Sequence, residues 1–422
     1  MKILYFDYGF EYPPIGGEQV RVAQELAYLS ENNETLLAYP DFSPNLRLFR
    51  EIDPYKTPFR IKRFPLGEAK DGGLERLKEI IQPVRKKQLE SLKCFIKDFS
   101  PDVIHHHFGA LNRMLEGVMG GRNLGIPQVA TFHVSWPFCI YGTYFNYHKK
   151  SPCVEKKVCA ECISSRSKMS SRVFSAIYSY TVARKVFSSI DHYICYTPYH
   201  QHILENLEID ASKITVLPPG ICPLSQITVK DFSERRYITY SGRFSEEKGV
   251  YLFLEVARRF KDSAIEFLMI GDGYLKEDLQ EKAKEESLKI KFIDWTRDRD
   301  EYVDFINQTK IMIVPSIWPE TFGMVILDAF QCGTPVIGTD RGGIPHIIEN
   351  NKNGFVVSPD PVTIAEKIKI LLEDSYLWQQ FSNYGLECIA KTATWQENAT
   401  QLQQIYTSIL KQKLLLSHNL IP

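Results

Sequence analysis

The sequence predicts two successive α/β domains, each built on a parallel sheet with helices on both faces. At 422 residues the chain is too long for one ordinary hydrophobic core. Short apolar runs alternate with amphipathic stretches, which is typical of strands and helices that alternate along an α/β fold. The alternation stops at Pro218–Gly220 and a polar linker, and it begins again near Tyr237.

The first domain is predicted to span residues 1–222. Its apolar runs predict the strands Lys2–Phe6, Thr35–Ala38, Val103–His105, Gln128–Phe132, His192–Cys195 and Ile214–Leu217. Two helices are predicted between them, Gly17–Leu29 and a long basic one over Gly73–Phe99. On the first helix, the predicted buried side carries Val20, Ala23, Leu26 and Ala27.

The second domain is predicted to span residues 223–397 and to repeat the same alternation. Its predicted strands are Tyr237–Ser241, Ile265–Ile270, Lys291–Ile293, Lys310–Val314 and Pro335–Gly338. Its predicted helices are Tyr251–Phe260, Tyr274–Glu286 and Gly323–Cys332, the last stopped by Gly333. A final amphipathic helix over residues 398–416 follows the completed sheet and is expected to pack back on the first domain.

Charge and hydropathy exclude several classes of protein. Lys+Arg and Asp+Glu are equal at 51 each, so no net field attracts the chain to nucleic acid. No window approaches the roughly 18 apolar residues that span a bilayer. The N-terminal apolar run is short and reads as a buried strand, not as a signal peptide. The sequence therefore predicts a cytoplasmic protein whose nine cysteines are mostly reduced.

The segment Pro315–Gly354 carries the richest pattern. A predicted strand ends at Val314, a loop presents Glu320, and a helix begins at Gly323. The unpaired N–H groups and the dipole of a helix N-terminus favour an anion there. Glu320 beside such a site suits the recognition of sugar hydroxyls, because a carboxylate accepts hydrogen bonds. Asp328 lies eight residues further on, within the helix. The alternative is a simple strand–turn–helix with solvated acids.

A second pattern is the loop Ser241–Gly249, which directly follows a predicted strand. Arg243 and Lys248 therefore lie at the carboxyl edge of the sheet, where open α/β folds bind ligands. Two fixed cations suit a diphosphate. By itself, such a pair is equally compatible with ordinary surface charges.

Together these segments resemble the retaining glycosyltransferases of family 4, which have the GT-B fold of two Rossmann-like domains facing each other across a cleft. GRFSEEKG resembles the phosphate loop of that family, and ETFGMVILD resembles its paired-acid motif E-x7-E. GGIPHII and NGFVV follow at the usual spacing. Pro14–Glu18 resembles the glycine loop near the donor phosphates, Met269–Gly273 the glycine turn near the nucleobase, and Val216–Ile221 the segment that closes the first domain.

The resemblance implies a role for each matching residue. Arg243 and Lys248 would neutralise the leaving diphosphate in place of a metal ion, Glu320 would hold donor sugar hydroxyls, and Asp328 would accept from the ribose. His133 matches the active-site histidine near the reacting carbon. The implied donor-binding set also contains Gly16, Gly17, Ser241, Gly271, Gly273, Phe322, Gly323, Met324 and Val325.

Two positions depart from the family pattern, and the role of two further histidines stays open. Asp328 stands where Glu is usual, which shortens the side chain by one methylene, and His346 stands where GGxPE has Glu. His105 and His107 end a predicted strand and are either functional or polar residues at the sheet edge.

The reaction implied by the resemblance is transfer of a sugar from a UDP-, GDP- or ADP-sugar to an acceptor hydroxyl with retention. The acceptor would be a sugar, a lipid-linked glycan or a polysaccharide, and no catalytic cofactor is expected. Alternatives are another GT-B enzyme, such as a sugar-nucleotide epimerase or a phosphorylase, and a non-catalytic sugar- or nucleotide-binding protein or zinc-stabilised interaction protein.

A cysteine cluster follows His133 in the spacing C-x13-C-x5-C-x2-C. These residues are Cys139, Cys153, Cys159 and Cys162. The closing C-x2-C is compatible with a tetrahedral structural zinc site. An iron–sulfur cluster, free thiols, or disulfides in an oxidising compartment are the alternatives. Because the cluster follows His133, we expect it to shape the acceptor side of the cleft.

The stretch Arg166–Phe187 is basic and aromatic and predicts an amphipathic helix. Such a helix either rests on an anionic membrane surface or packs on the core with its cationic side outward.

Overall fold

The computed structural model describes residues 1–7, 17–41, 57–65, 86–108, 115–133, 145–146, 151–152, 186–224, 227–296 and 298–418. Gly16, the four clustered cysteines and residues 166–185 lie outside the described residues, as do residues 73–85 of the long predicted helix. Within the described part, no helix is both long enough and apolar enough to cross a bilayer.

The first domain contains a parallel sheet of seven strands in the order β3-β2-β1-β4-β5-β8-β9. These strands are β1 (Lys2–Asp7), β2 (Glu34–Asp41), β3 (Ile61–Pro65), β4 (Val103–Phe108), β5 (Gln128–Phe132), β8 (His192–Cys195) and β9 (Ile214–Val216). A short antiparallel pair, β6 (Phe145–Asn146) and β7 (Ser151–Pro152), lies between β5 and β8 in the chain. The described helices are α1 (Gly17–Leu29), α2 (Lys86–Phe99), α3 (Leu115–Asn123) and α4 (Pro198–Glu205).

The second domain contains a parallel sheet of six strands in the order β12-β11-β10-β13-β14-β15. They are β10 (Tyr237–Ser241), β11 (Glu266–Ile270), β12 (Ile290–Ile293), β13 (Thr309–Val314), β14 (Val336–Thr339) and β15 (Gly354–Val357). The helices are α5 (Val250–Arg258), α6 (Lys276–Glu285), α7 (Arg299–Asn307), α8 (Met324–Gln331), α9 (Pro361–Glu373), α10 (Ser375–Ala390) and α11 (Trp395–His418). Both sheets reverse their strand order beside the first strand, which is the Rossmann arrangement, so the predicted fold class is confirmed.

Each sheet is covered on both faces, which explains the nearly continuous burial of its central strands. In β4 all six residues are buried, including His105, His106 and His107. The alternative that His105 and His107 are polar residues at the sheet edge is therefore wrong. They lie in a central strand between β1 and β5, where water does not reach them.

Helix α11 returns from the second domain and packs on the first. Its Ala399, Leu402 and Tyr406 join Val22 and Leu26 of α1 in one buried cluster. Helix α1 is therefore covered by the sheet and by α11, and its buried surface is wider than the sequence suggested. Val22, Leu29 and an ion pair of Arg21 and Glu25 are buried, whereas Val20 and Ala27 are only half-buried.

Candidate active site

Two loops at the carboxyl edge of the second sheet pack against each other. The loop after β10 ends at Gly249, and the loop after β13 begins at Pro315. Gly249 has a φ of 73°, and a Cβ there would lie 1.9 Å from the Pro315 carbonyl oxygen. Only glycine fits this conformation and this contact. The contact holds Lys248, the residue before Gly249, beside the loop after β13, which carries Glu320 and is called the acid loop below.

Lys248 and Glu320 form a two-bond ion pair. The Lys248 Nζ lies 2.7 Å from Oε1 and 2.9 Å from Oε2 of Glu320, and it lies 4.7 Å from the centre of the Trp318 ring. The Ser316 hydroxyl donates to Glu320 Oε1 at 2.6 Å. Burial raises the pKa of Glu320, but Lys248 and the hydrogen bonds outweigh that effect and hold it below its ordinary value. Glu320 is therefore an ionised, buried acceptor.

Arg243 is the more exposed of the two expected phosphate cations. Its guanidinium lies 3.3 Å from the buried Glu247 carboxylate, and 62% of its side chain is exposed. The Ser245 hydroxyl donates to the same Glu247 oxygen at 2.7 Å. Both cations thus have a carboxylate partner from the protein. A bound diphosphate would share or replace these partners, and Arg243 would be the easier one to redirect.

The glycine turn after β11 packs under the phosphate loop. A Cβ on Gly271 would lie 1.9 Å from the Gly242 carbonyl oxygen, and one on Gly273 would lie 2.4 Å from that of Phe244. The Phe244 amide donates to the Asp272 carbonyl at 2.8 Å. These glycines therefore serve a loop–loop contact in the protein itself, and their contact with a donor stays a prediction.

Asp328 lies one turn into α8 and is held from α7. Arg299 Nη2 donates to Asp328 Oδ1 at 2.6 Å, and the Tyr302 hydroxyl lies 3.4 Å from Oδ2. Ser241 reaches the same group, because its hydroxyl lies 3.1 Å from that of Tyr302. Sequence reasoning missed Arg299 and Tyr302, since α7 was not predicted. Arg299 and Asp328 are 29 residues apart in the sequence, so no local sequence pattern indicates that they pair.

The starts of α1 and α8 meet across the cleft. A Cβ on Gly17 would lie 3.4 Å from the Met324 side chain. Gly323 precedes α8 as its N-cap, so Met324 and Val325 begin the helix here as predicted. Phe322 packs in an interdomain cluster with Tyr196, at a ring distance of 6.3 Å. The two glycine-bearing helix starts thus face each other from opposite domains.

His133 is joined to the acid loop by Thr321, the residue after Glu320. The Thr321 hydroxyl donates to the His133 carbonyl at 3.0 Å, and the Thr197 hydroxyl donates to the Thr321 carbonyl at 3.2 Å. The imidazole is buried, with Nδ1 2.5 Å from the Tyr196 hydroxyl and Nε2 2.9 Å from His107 Nδ1. The structure therefore brings His133 and Glu320 to one cleft from two domains.

Behind His133, the side chains of Glu25, His105 and His107 approach one another closely enough to suggest a metal site. Their other partners argue against it. Both ring nitrogens of His105 already have partners, the Tyr406 hydroxyl at 2.6 Å and the Thr131 hydroxyl at 2.8 Å. The adjacent Arg21 guanidinium, 2.5 Å from Glu25, would also repel a cation. The donor set fits a hydrogen-bond network.

Comparison with known proteins agrees with this geometry. Residues 79–223 match the family described as Glycosyltransferase Family 4, and residues 227–387 match the one described as Glycosyl transferases group 1. An uncharacterized glycosyltransferase of Methanocaldococcus jannaschii is 22% identical over 400 residues, covering 94% of this chain and 96% of that protein. The D-inositol 3-phosphate glycosyltransferase of Corynebacterium jeikeium is 28% identical over 234 residues, covering 50% of this chain and 55% of that protein.

Solved structures show the same fold. The Anabaena protein HepE in complex with UDP aligns with a TM-score of 0.69 at 15% identity, covering 97% of this chain and 100% of that one. Sucrose-phosphate synthase from Thermosynechococcus elongatus aligns with a TM-score of 0.70 at 19% identity, covering 97% and 99%.

Two Rossmann-like domains that face each other across a cleft are the GT-B fold, which the solved structures share. Within that fold class, the chain is a glycosyltransferase of the family 4 type.

Proposed function

We propose that this glycosyltransferase moves a sugar from a nucleoside diphosphate sugar to an acceptor hydroxyl, with retention at the anomeric carbon, in the synthesis of a glycan, polysaccharide or glycolipid. The donor binds mainly to the second domain and the acceptor to the first. Closure of the domains excludes water from the reacting centre.

The ion pair of Lys248 and Glu320 carries the proposal. It combines a fixed cation, suited to the leaving diphosphate, with a buried ionised acceptor suited to sugar hydroxyls. Thr321 links this pair to His133 of the opposite domain. A sugar held between the two domains would therefore contact both walls at its anomeric carbon.

The chain's own cations take the role of charge stabilisation in this proposal. Lys248 and Arg243 follow a strand of the second sheet, and both would approach the diphosphate as its bond to the sugar breaks. The leaving diphosphate then helps to deprotonate the incoming hydroxyl on the same face, which gives retention.

UDP is the first nucleotide to test. The HepE structures include complexes with UDP and with UDP-glucose, and TarM has been solved with UDP. At this level of identity those ligands belong to the neighbours, and GDP and ADP remain alternatives for this chain. We therefore propose a thermal-shift comparison of UDP, GDP and ADP, followed by turnover of the matching sugar donors with simple alcohols and sugars as acceptors.

The expected result is one nucleotide that raises the melting temperature, and release of the same nucleotide from its sugar donor. Nucleotide release without any acceptor requirement would instead favour an epimerase. No shift with any of the three nucleotides and no donor consumed would overturn the proposal in favour of a non-catalytic binding protein.

We also propose that the segment after His133 sets acceptor specificity. The four clustered cysteines would hold a structural zinc ion, and Arg166–Phe187 would contact an anionic membrane surface peripherally. Flotation with liposomes containing anionic lipid tests the second idea. Salt-sensitive binding is expected, and protein that stays at the bottom of the gradient would indicate a core-packing helix instead.

A further inference from the structure

We propose that His107 and Tyr196 are positioning residues for His133 and hold its ring as the neutral tautomer with the proton on Nε2. Buried Glu25, on the far side of His107, selects this tautomer. The part that concerns sugar transfer rests on the proposed function, whereas the tautomer itself does not.

Both ring nitrogens of His133 have protein partners. Nε2 lies 2.9 Å from His107 Nδ1, and Nδ1 lies 2.5 Å from the Tyr196 hydroxyl. One of the two facing imidazole nitrogens must carry a proton and the other a lone pair, because two lone pairs or two N–H groups would repel. The two rings therefore share one of two consistent proton arrangements.

In the first arrangement, Tyr196 donates to His133 Nδ1, and His133 Nε2–H donates to His107 Nδ1. The His107 proton then lies on Nε2, which faces Glu25 Oε2 at 3.7 Å. In the second arrangement every proton moves to the other atom, and a lone pair of His107 faces the Glu25 carboxylate. That contact is repulsive in a buried site, so the charge on Glu25 favours the first arrangement.

Burial raises the pKa of Glu25, but the Arg21 guanidinium and the hydrogen bonds from Arg21 and Tyr5 oppose that effect and keep the carboxylate ionised near neutral pH. The Arg21 Nε lies 2.5 Å from Glu25 Oε1, and both side chains are almost completely buried. A neutral Glu25 would leave a buried guanidinium without a counter-ion, which costs several kcal/mol. The Tyr5 hydroxyl donates to Glu25 Oε2 at 3.3 Å and further satisfies the carboxylate.

The surroundings also keep the histidines neutral. Burial, together with the nearby Arg21, lowers the pKa of His133, and burial with the neighbouring histidines lowers that of His107. Burial raises the pKa of Tyr196, so its hydroxyl remains a donor. A His133 with both nitrogens bonded and a lowered pKa is unsuited to act as the general base. It acts as a fixed neutral group in the wall of the cleft.

The experiment is NMR of the full chain with ¹⁵N-labelled histidine near pH 7.5. Two-bond and three-bond ¹H–¹⁵N correlations distinguish a protonated ring nitrogen from one with a lone pair. A His133→Gln variant assigns the signals. We expect His133 to show a protonated Nε2 and a bare Nδ1. A protonated Nδ1 on His133, or a charged ring, would overturn the proposal.

Three variants separate positioning from general structure. His107→Phe keeps the ring volume and removes the acceptor, so the His133 proton should move toward Nδ1, where Tyr196 can accept it. His107→Asn places a carbonyl oxygen near the position of Nδ1 and should preserve the tautomer. His106→Gln is the matched control, because His106 is equally buried in the same strand but bonds to Gln128 on the other face at 2.8 Å.

Acceptor-dependent release of the nucleotide from its sugar donor provides the second readout. His107→Phe should lower kcat by about tenfold to a hundredfold while leaving the KM for the donor nearly unchanged, and His107→Asn should recover most of the loss. Equal losses in all three variants would show a purely structural role and overturn the assignment. If the wild-type tautomer is as expected but no donor is consumed, the proposed function fails and the tautomer assignment stands.

Discussion

Replacing Glu320 by glutamine tests the cation–acid pair most sharply, because the change keeps the shape of the side chain and removes its charge. In the wild type a diphosphate must take Lys248 from Glu320, which holds it by two hydrogen bonds of 2.7 and 2.9 Å. In Glu320→Gln that competition weakens. We therefore expect UDP to bind as tightly as before, or up to about tenfold more tightly, which corresponds to about 1.4 kcal/mol.

The stability cost follows from the burial of the pair. Removing one partner of a fully buried ion pair costs about 3–5 kcal/mol, whereas hydrogen bonds to charged groups contribute about 1.5–3 kcal/mol. Lys248 is 23% exposed and lies over the Trp318 ring, so water and the indole still stabilise its charge. We expect the free energy of unfolding to fall by about 1–3 kcal/mol, at the lower end of these values.

Turnover should behave in the opposite way to binding. Glutamine cannot hold sugar hydroxyls through a full negative charge, so donor consumption should fall by about a hundredfold or more. The converse variant, Lys248→Met, should weaken UDP binding by at least about tenfold. The matched control is Glu349→Gln, because Glu349 forms an exposed pair with Lys352 at 2.8 Å in the same domain. It should change stability by less than about 1 kcal/mol and leave turnover unchanged.

Isothermal titration with UDP, denaturant unfolding and a nucleotide-release assay together measure all three quantities. The reasoning is refuted if Glu320→Gln weakens UDP binding as strongly as Lys248→Met while turnover is retained. That result would place Glu320 among the groups that bind the nucleotide and would separate it from the transferred sugar.

Three further predictions concern the loops, the buried histidines and the cysteines. Gly249→Ala should lower the free energy of unfolding by well over 2 kcal/mol, because a Cβ at this position clashes with Pro315. Gly125 has a φ of 69° and open space around it, so Gly125→Ala should cost only the backbone strain of about 1–2 kcal/mol. Denaturant unfolding compares the two variants. Burial lowers the pKa of His106 from 6.5 to about 4. The unfolded chain therefore binds more protons than the folded one below pH 6.5, and the free energy of unfolding decreases as pH falls. His106→Gln should reduce this decrease by up to about 1.4 kcal/mol per pH unit, measured by denaturant unfolding between pH 7 and 4.5. Metal analysis should find about one zinc ion per chain, and less than stoichiometric zinc with four titratable thiols in the cysteine cluster would contradict the zinc site.

The sequence predicted the fold well because its main signals are local. Apolar runs located the central strands within a few residues, as with Gln128–Phe132, which the structure reproduces. Several elements were missed, including the apolar strand β15 and the amphipathic helices α9 and α10. Strand β3 is an edge strand, and α4 and α7 carry too many polar residues for a strong helical pattern. These elements form because the rest of the fold covers them.

The sequence predicted the loops that carry the site residues, but the contacts between these loops are visible only in the folded structure. Lys248 and Glu320 stand in recognisable motifs, yet their ion pair joins residues 72 positions apart in the chain. No local sequence pattern predicts the hydrogen bond from Arg299 to Asp328. The same applies to the partners of His133. His107 lies in β4, whereas Tyr196 directly follows β8.

Time-resolved ¹H NMR of a UDP-α-linked sugar with the full chain and an acceptor sugar tests the central claim most directly. The measurement follows the donor, the released UDP and the anomeric configuration of the first sugar product. We predict that UDP appears together with an α-configured product, and that Glu320→Gln suppresses both. A donor that stays intact with UDP-, GDP- and ADP-sugars, or a first product in the β configuration, would contradict the account.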